Sequence, residues 1–98
     1  MRYAGIDVAA RTHLVAVINE QEKILLKPTR FDEDADGYDK LFRLLGQSDD
    51  LLVLMEATGH YHRNLIATLA ARRFPVSLIN PIRTHRFAGE ELRRGKTD

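Results

Sequence analysis

The sequence predicts a mixed α/β domain with its elements in the order β-β-β-α-β-α-β-α. Two observations carry this prediction. Three apolar, β-branched runs joined by short turns occupy the first 31 residues, and helical and strand-like periods alternate from there onward. A meander followed by alternating helices and strands implies one mixed sheet, antiparallel at one side and parallel where helices supply right-handed crossovers. The 98 residues suffice for a single domain with its own core.

The first three elements are predicted to be strands. Residues Tyr3–Val8 and Thr12–Asn19 are joined by a short turn, and residues Lys23–Phe31 would pair antiparallel with the second run. Pro28 cannot donate a ladder hydrogen bond, so it places the third strand near an edge of the sheet.

A helix and a buried strand are predicted next. Apolar residues recur at helical spacing from Tyr38 to Leu45, and the acids that precede them suit the positive end of a helix dipole. Gly46 ends this helix. Residues Leu51–Glu56 form a continuous apolar run that ends in an acid, which is typical of a strand buried on both faces.

The remaining predicted elements are a helix, a strand and a helix. The second helix would begin at Ala57 or Thr58, and Pro75–Ile79 would be the fifth strand. Asn80 followed by Pro81 is a good N-cap with proline at the first helical position, so a third helix is expected from about residue 81. The polar ending at Gly95–Asp98 has no further element behind it and indicates a piece of a longer protein.

Composition excludes several classes of protein. No apolar run approaches the ~20 residues of a membrane span, and an early acid interrupts any secretory signal, so a cytoplasmic protein is expected. The chain has no Cys, which leaves carboxylates and histidines as metal ligands. The net charge is only +1, but residues 31–60 hold eight acids and two bases, whereas residues 72–98 hold seven bases and three acids. The basic part suits either a nucleic acid or a solvated helix face.

Two acids carried by strands are the strongest candidates for chemistry. Asp7 lies between apolar residues of the first strand, where Asp is disfavoured, and Glu56 ends the fourth strand. If these strands are neighbours, the two carboxylates emerge at one edge, and a divalent cation would relieve their repulsion. Mg²⁺ prefers a few carboxylates together with phosphate oxygens, which favours phosphodiester chemistry with Asp98 as the third acid. The structural alternatives are an Asp7 that accepts hydrogen bonds from its turn and a solvated, terminal Asp98.

Other polar residues give weaker indications. Glu56, His60 and His62 are close in sequence and suggest a zinc or iron site, but Glu56 belongs to the predicted strand and histidines two residues apart diverge on a helix. His13 has no partner in the sequence and is interpreted as an ordinary strand residue. The predicted last helix carries bases roughly along one side, as a phosphate backbone would require, although an acid lies among them; the candidate nucleic-acid contacts are Arg83, Arg86, Arg93, Arg94 and Lys96.

Three motifs are specific in combination. They are Gly5–Ala9 followed by His13, Met55–Gly59 with Tyr61, and Asn80–Pro81 leading through Arg86–Ala88 to Lys96–Asp98. In order and spacing they resemble the N-terminal domain of the DEDD-type insertion-sequence transposases, a RuvC-like member of the ribonuclease H fold. The resemblance implies a DNA recombinase whose acidic cluster binds Mg²⁺ or Mn²⁺ and acts on phosphodiester bonds during transposition. Asp7, Glu56 and Asp98 match the first three acids of the DEDD set.

The resemblance also implies parts that lie outside this chain. In the family the fourth acid follows a few residues after the Lys-Thr-Asp motif, a separate C-terminal domain supplies a serine, and an element-encoded RNA can guide target choice. Residues 1–98 are therefore expected to be one RuvC-like domain cut before its fourth acid and inactive alone. Its expected partners are DNA, a guide RNA, the C-terminal domain, and further copies of the full-length protein.

Two other classes of function stay open. Actin-like sugar kinase and ATPase lobes share this core and its first-strand Asp, but they usually have a glycine-rich phosphate turn where this chain has Val8–Arg11. A non-catalytic nucleic-acid-binding module would use Asp7 and Glu56 only structurally. ATP binding would favour the first class, and metal-independent DNA binding would favour the second.

Overall fold

A computed structural model describes residues 1–56 and 61–79 of the chain. The elements in these residues follow the predicted order: β1 (Arg2–Asp7), β2 (Thr12–Asn19), β3 (Ile24–Asp32), α1 (Ala35–Leu45), β4 (Leu51–Glu56), α2 (Arg63–Ala71) and β5 (Val76–Ile79). The predicted third helix, from about residue 81, lies outside the described residues.

The start of α2 is the main difference from the predicted elements. The helix begins at Arg63, after a turn at residues 61 and 62. Its buried residues are Leu65 and Leu69. The predicted start at Ala57 or Thr58 was therefore too early, although those two residues themselves lie outside the described part. The apolar spacing that defines this helix begins only at Leu65, so nothing in the sequence required helix before it.

The five strands form one mixed sheet in the order β3-β2-β1-β4-β5. The pairs β1–β2 and β2–β3 are antiparallel, whereas β4 runs parallel to both β1 and β5. The predicted meander and the crossover that places β4 beside β1 are confirmed, and the fold is the mixed α/β arrangement of the ribonuclease H class. β3 lies at an edge, as Pro28 predicted, and its pairing with β2 contains two register shifts.

The core lies on one face of the sheet. In β1 and β4 alternate residues point to this face, among them Ala4, Ile6, Val53 and Met55, and each is less than 5% exposed. The buried side chains of both helices join the same cluster. The sequence predicted that β4 would be buried on both faces, but its burial alternates and Leu54 is only half-buried. We call the opposite face, which carries Leu54, the open face.

The ends of α1 follow the predicted chemistry. The Asp34 side chain accepts a hydrogen bond from the Gly37 N–H at 2.7 Å, which caps the helix N-terminus. Gly46 has φ of 73°, a left-handed conformation that favours glycine, and its N–H donates to the Phe42 carbonyl at 3.0 Å. The acidic run therefore has a structural role at Asp34. Neither helix of the described residues is long and apolar enough to cross a membrane.

Candidate functional site

Two parallel strands bring Asp7 and Glu56 to neighbouring positions at one edge of the sheet. β1 and β4 are in register up to the pair Ile6 and Met55, and the next residue of each strand is the acid. Neighbouring strands lie about 4.8 Å apart, and matched positions of a parallel pair point to the same face. The structure thus brings together the two acids that the sequence singled out; their role as metal ligands stays a prediction.

Both acids line a groove of about 570 Å³ on the open face. The groove lies at the carboxyl ends of β1 and β4, where open α/β sheets collect ligands. Its other walls are mainly apolar, so the two carboxylates are the charged groups of this surface within the described residues. The lining side chains include Leu14, Ala16, Pro28, Leu54 and Ile79.

The carboxylates of Asp7 and Glu56 are available to a ligand. Asp7 is exposed and Glu56 is half-buried, and neither forms a hydrogen bond or ion pair with another residue in the described ranges. Two ionised carboxylates on adjacent strands repel each other, and a cation shared between them removes that repulsion. Hard oxygen donors of this kind suit Mg²⁺ or Mn²⁺ better than zinc.

A metal site at this edge would need a further donor beyond these two carboxylates. Within residues 1–56 and 61–79, no group of three or more His, Asp or Glu side chains is arranged to hold a metal ion. Asp98, the predicted third acid, lies outside the described residues, as does His60 of the alternative histidine site. Glu56 belongs to β4, as the sequence predicted. The predicted nucleic-acid contacts also lie outside the described part of the chain: Arg83, Arg86, Arg93, Arg94 and Lys96.

His13 has partners that the sequence did not reveal. Its side chain is fully buried, its Nδ1 accepts a hydrogen bond from the Ala9 N–H at 3.0 Å, and its Nε2 lies 2.7 Å from Glu33 Oε1. A backbone N–H can only donate, so Nδ1 carries no proton and the ring proton lies on Nε2, where it is donated to Glu33. His13 lies in β2, as interpreted, but it is a buried residue with two hydrogen-bond partners that the sequence did not show.

A signal for this pair was present in the sequence. Alternation along β2 places His13 on the same face as Val15 and Val17, which belong to the core. A buried imidazole needs hydrogen-bond partners, so an acid from a distant segment was to be expected. Glu33 itself gave no separate signal, since it lies in the acidic run for which the helix dipole of α1 accounts.

Glu33 joins several elements through both of its carboxylate oxygens. While Oε1 accepts from His13, Oε2 accepts from the Tyr38 hydroxyl and from Asn64 Nδ2, the latter at 3.5 Å. Burial raises the pKa of Glu33, but the hydrogen bonds from Tyr38, His13 and Asn64 outweigh it, and the pKa lies below its ordinary value of 4.5. Burial and the hydrogen bond to Glu33 both raise the pKa of Tyr38.

Acid unfolding should depend on Glu33. Because the pKa of this carboxyl is lower in the folded state, its contribution to stability is complete above pH 4.5 and is lost as the pH falls through the folded pKa. We expect Glu33→Gln to flatten the decline in the free energy of unfolding as the pH falls below about 4.5. Urea unfolding at a series of pH values measures this slope. Asp39→Asn, which removes an exposed carboxylate of α1, should keep the wild-type slope; an unchanged slope in Glu33→Gln would contradict the prediction.

The chain is similar to known transposases along nearly all of its length. A family model described as transposase, of the DEDD type of IS110 elements, matches residues 4–98. A protein assigned as the mini-circle transposase for IS117 in Streptomyces coelicolor is 32% identical over 102 residues, which cover 98% of this chain and 24% of that protein. The chain thus spans about a quarter of the length of this relative.

A solved structure is weakly similar to this fold. The crystal structure of the Aquifex aeolicus member of the Ppx/GppA protein family aligns with 100% of this chain and 41% of that one, at 13% identity and a TM-score of 0.46.

Proposed function

Because the chain belongs to the DEDD transposase family of IS110-type elements, we propose that its sheet edge forms the metal-dependent catalytic site for phosphodiester chemistry on DNA during transposition. The neighbouring position of Asp7 and Glu56 at the ends of two parallel strands carries the proposal. Two carboxylates on adjacent strands, with no partner among the described residues, repel each other, and a shared cation would remove that repulsion.

The donor set fits Mg²⁺ or Mn²⁺. Asp7 and Glu56 supply hard oxygen ligands at the mouth of the groove, and Asp98 is proposed as the third carboxylate from its match to the family motif. A divalent cation held there supplies Lewis-acid polarisation of a phosphodiester group and lowers the pKa of a bound water.

The proposed substrate is DNA of the mobile element and its target. The basic residues of the C-terminal part would contact phosphates without reading sequence, which is the usual role of such contacts. The fourth acid, the C-terminal domain, a guide RNA and further copies of the full-length protein belong to the same proposal, and we expect residues 1–98 alone to be inactive. The residues proposed to contact phosphates are Arg83, Arg86, Arg93, Arg94 and Lys96.

Titration with Mn²⁺ tests the metal site. Asp7→Asn and Glu56→Gln keep the shape of each side chain and remove its charge, so each should weaken Mn²⁺ binding more than about tenfold, since even outer contacts of a metal site are worth 10–100-fold. Paramagnetic broadening of amide resonances near Ile6 and Met55 locates the ion. Asp39→Asn, an exposed acid far along the sequence from both strand ends, should leave the affinity unchanged. Equal affinity in the wild type and in Asp7→Asn would overturn the proposal.

Two further measurements separate this proposal from the other classes of function. Robust turnover of DNA by residues 1–98 alone would contradict the expected inactivity of the isolated domain. DNA binding that needs no metal and survives both Asp7→Asn and Glu56→Gln would favour a non-catalytic module. Binding of ATP in a thermal-shift assay would favour an actin-like lobe.

A further inference from the structure

We infer that the His13–Glu33 pair is a positioning element, which fixes the turn after Asp7 relative to α2, the helix that follows Glu56. The inference rests on the proposed function of these two acids. It gives a role to the side chain of His13, which is buried and does not line the groove. The pair is not proposed to touch metal or DNA.

The turn between β1 and β2 is held at both ends. It comprises Val8–Arg11 and follows Asp7 directly. Near its start, the Ala9 N–H donates to His13 Nδ1 at 3.0 Å, and at its end the Arg11 carbonyl accepts from the Glu33 N–H at 2.9 Å. His13 therefore binds one end of the turn and Glu33 binds the other. The hydrogen bond between the two side chains links these contacts.

The same pair reaches the segment that follows the second acid. Asn64, in the first turn of α2, donates to Glu33 Oε2 at 3.5 Å, and α2 is the next element after β4 and Glu56. Tyr38 of α1 donates to the same oxygen. The carboxylate of Glu33 is thus bound by β2, α1 and α2 together, so a shift of the turn after Asp7 is resisted by the helix that follows Glu56.

Packing alone does not require a histidine at this position. Its neighbours on the buried face of β2 are Val15 and Val17, and its ring lies against Phe31 with the centroids 5.0 Å apart. An apolar side chain would fill the same space without the cost of burying a polar ring. Every buried side-chain nitrogen and oxygen of the described residues has a hydrogen-bond partner, and a fully satisfied buried network rigidifies its surroundings.

Two substitutions of His13 each keep one of its two hydrogen bonds and remove the other. The carboxamide of Asn reaches about as far as Nδ1, so His13→Asn can still accept from the Ala9 N–H. The carboxamide of Gln reaches about as far as Nε2, so His13→Gln can still donate to Glu33 but loses Ala9. If His13 positions Asp7 through Ala9, His13→Asn preserves the site better than His13→Gln.

The first readouts need no metal. Amide hydrogen exchange at Ala9 and the carboxyl ¹³C shift of Asp7 report directly on the turn and on the acid. His13→Gln should accelerate exchange at Ala9 by about tenfold, the effect of losing one hydrogen bond, and should move the Asp7 carboxyl resonance. His13→Asn should lie between the wild type and His13→Gln, because it keeps the Ala9 hydrogen bond and loses the one to Glu33. Thr12→Val, which removes the exposed hydrogen bond to Asp32, is the control and should change neither readout.

Mn²⁺ titration of the same variants connects the turn to the proposed site. His13→Gln should weaken Mn²⁺ binding about tenfold, as expected for a group that orients a ligand, and His13→Asn should weaken it less. If the wild type binds no Mn²⁺ at Asp7, the proposed function fails while the metal-free readouts still decide the positioning of the turn. A folded His13→Gln variant with unchanged exchange at Ala9 and an unchanged Asp7 shift would overturn the inference, as would unchanged Mn²⁺ affinity despite a shifted Asp7 resonance.

Variants of Glu33 decide the question if the His13 variants do not fold. Glu33→Ala should accelerate exchange at Ala9 and move the Asp7 resonance to about the extent of His13→Asn, because both variants keep an acceptor for the Ala9 N–H and lose the hydrogen bond between positions 13 and 33. Glu33→Gln should restore both in part, because its amide oxygen still accepts from His13. Equal values for Glu33→Ala and the wild type would overturn the inference by this route as well.

Discussion

Gly37→Ala should destabilise the domain by at least about 3 kcal/mol, because there is no room for a methyl group at this position. A Cβ on Gly37 would lie 1.9 Å from the Asp32 carbonyl oxygen and 2.6 Å from the Asp32 nitrogen and carbonyl carbon. These are backbone atoms at the end of β3, so no change of rotamer relieves the clash. The first turn of α1 would have to unwind or move, against a total stability of about 5–15 kcal/mol for a domain of this size.

Gly5→Ala is the matched control for this prediction. Gly5 lies within β1 on the open face, and a Cβ there would meet nothing within 4 Å. Because alanine also restricts the unfolded chain, we expect the free energy of unfolding to change by less than about 1 kcal/mol, in the stabilising direction. Urea unfolding followed by far-UV circular dichroism measures both variants. Similar losses in the two would show that the close approach at Gly37 does not constrain α1.

Phe31→Ala should cost about 3–5 kcal/mol, the usual range for removing a buried aromatic ring. The side chain is 1% exposed and belongs to the core. It also forms one wall of the site of His13, since the two ring centroids are 5.0 Å apart. The cavity left by the substitution would therefore weaken the core and loosen the His13–Glu33 pair together.

Leu25→Ala tests whether this loss is specific to the core. Leu25 lies in the same strand but is 48% exposed, so its substitution should cost less than about 1 kcal/mol. Urea unfolding at neutral pH compares the two variants, and amide exchange at Ala9 shows whether Phe31→Ala also releases the turn. A cost below about 1 kcal/mol for Phe31→Ala would mean that the end of β3 is not packed as described.

Local patterns predicted most elements to within one residue. The bounds of Thr12–Asn19 and Leu51–Glu56 agree with those of β2 and β4, because each is an apolar run bounded by turn-forming or polar residues. The positive φ of Gly46 explains why α1 ends where the sequence predicted. The start of α2 was wrong because Gly and polar residues between β4 and Leu65 carry no period that distinguishes a turn from a helix.

The candidate site likewise has a part that local patterns predicted and a part that only the fold decided. The sequence placed Asp7 inside the first strand, before Val8, and Glu56 at the end of the fourth. In the structure β1 and β4 both end at the acid, so local chemistry predicted the end of β4 and not that of β1. That these strands are neighbours in matched register depends on how the whole sheet packs against α1 and α2. The pairing of His13 with Glu33 likewise joins residues from separate elements. Contacts across such distances in sequence leave no local period, so only the folded arrangement of the strands decides which polar groups meet.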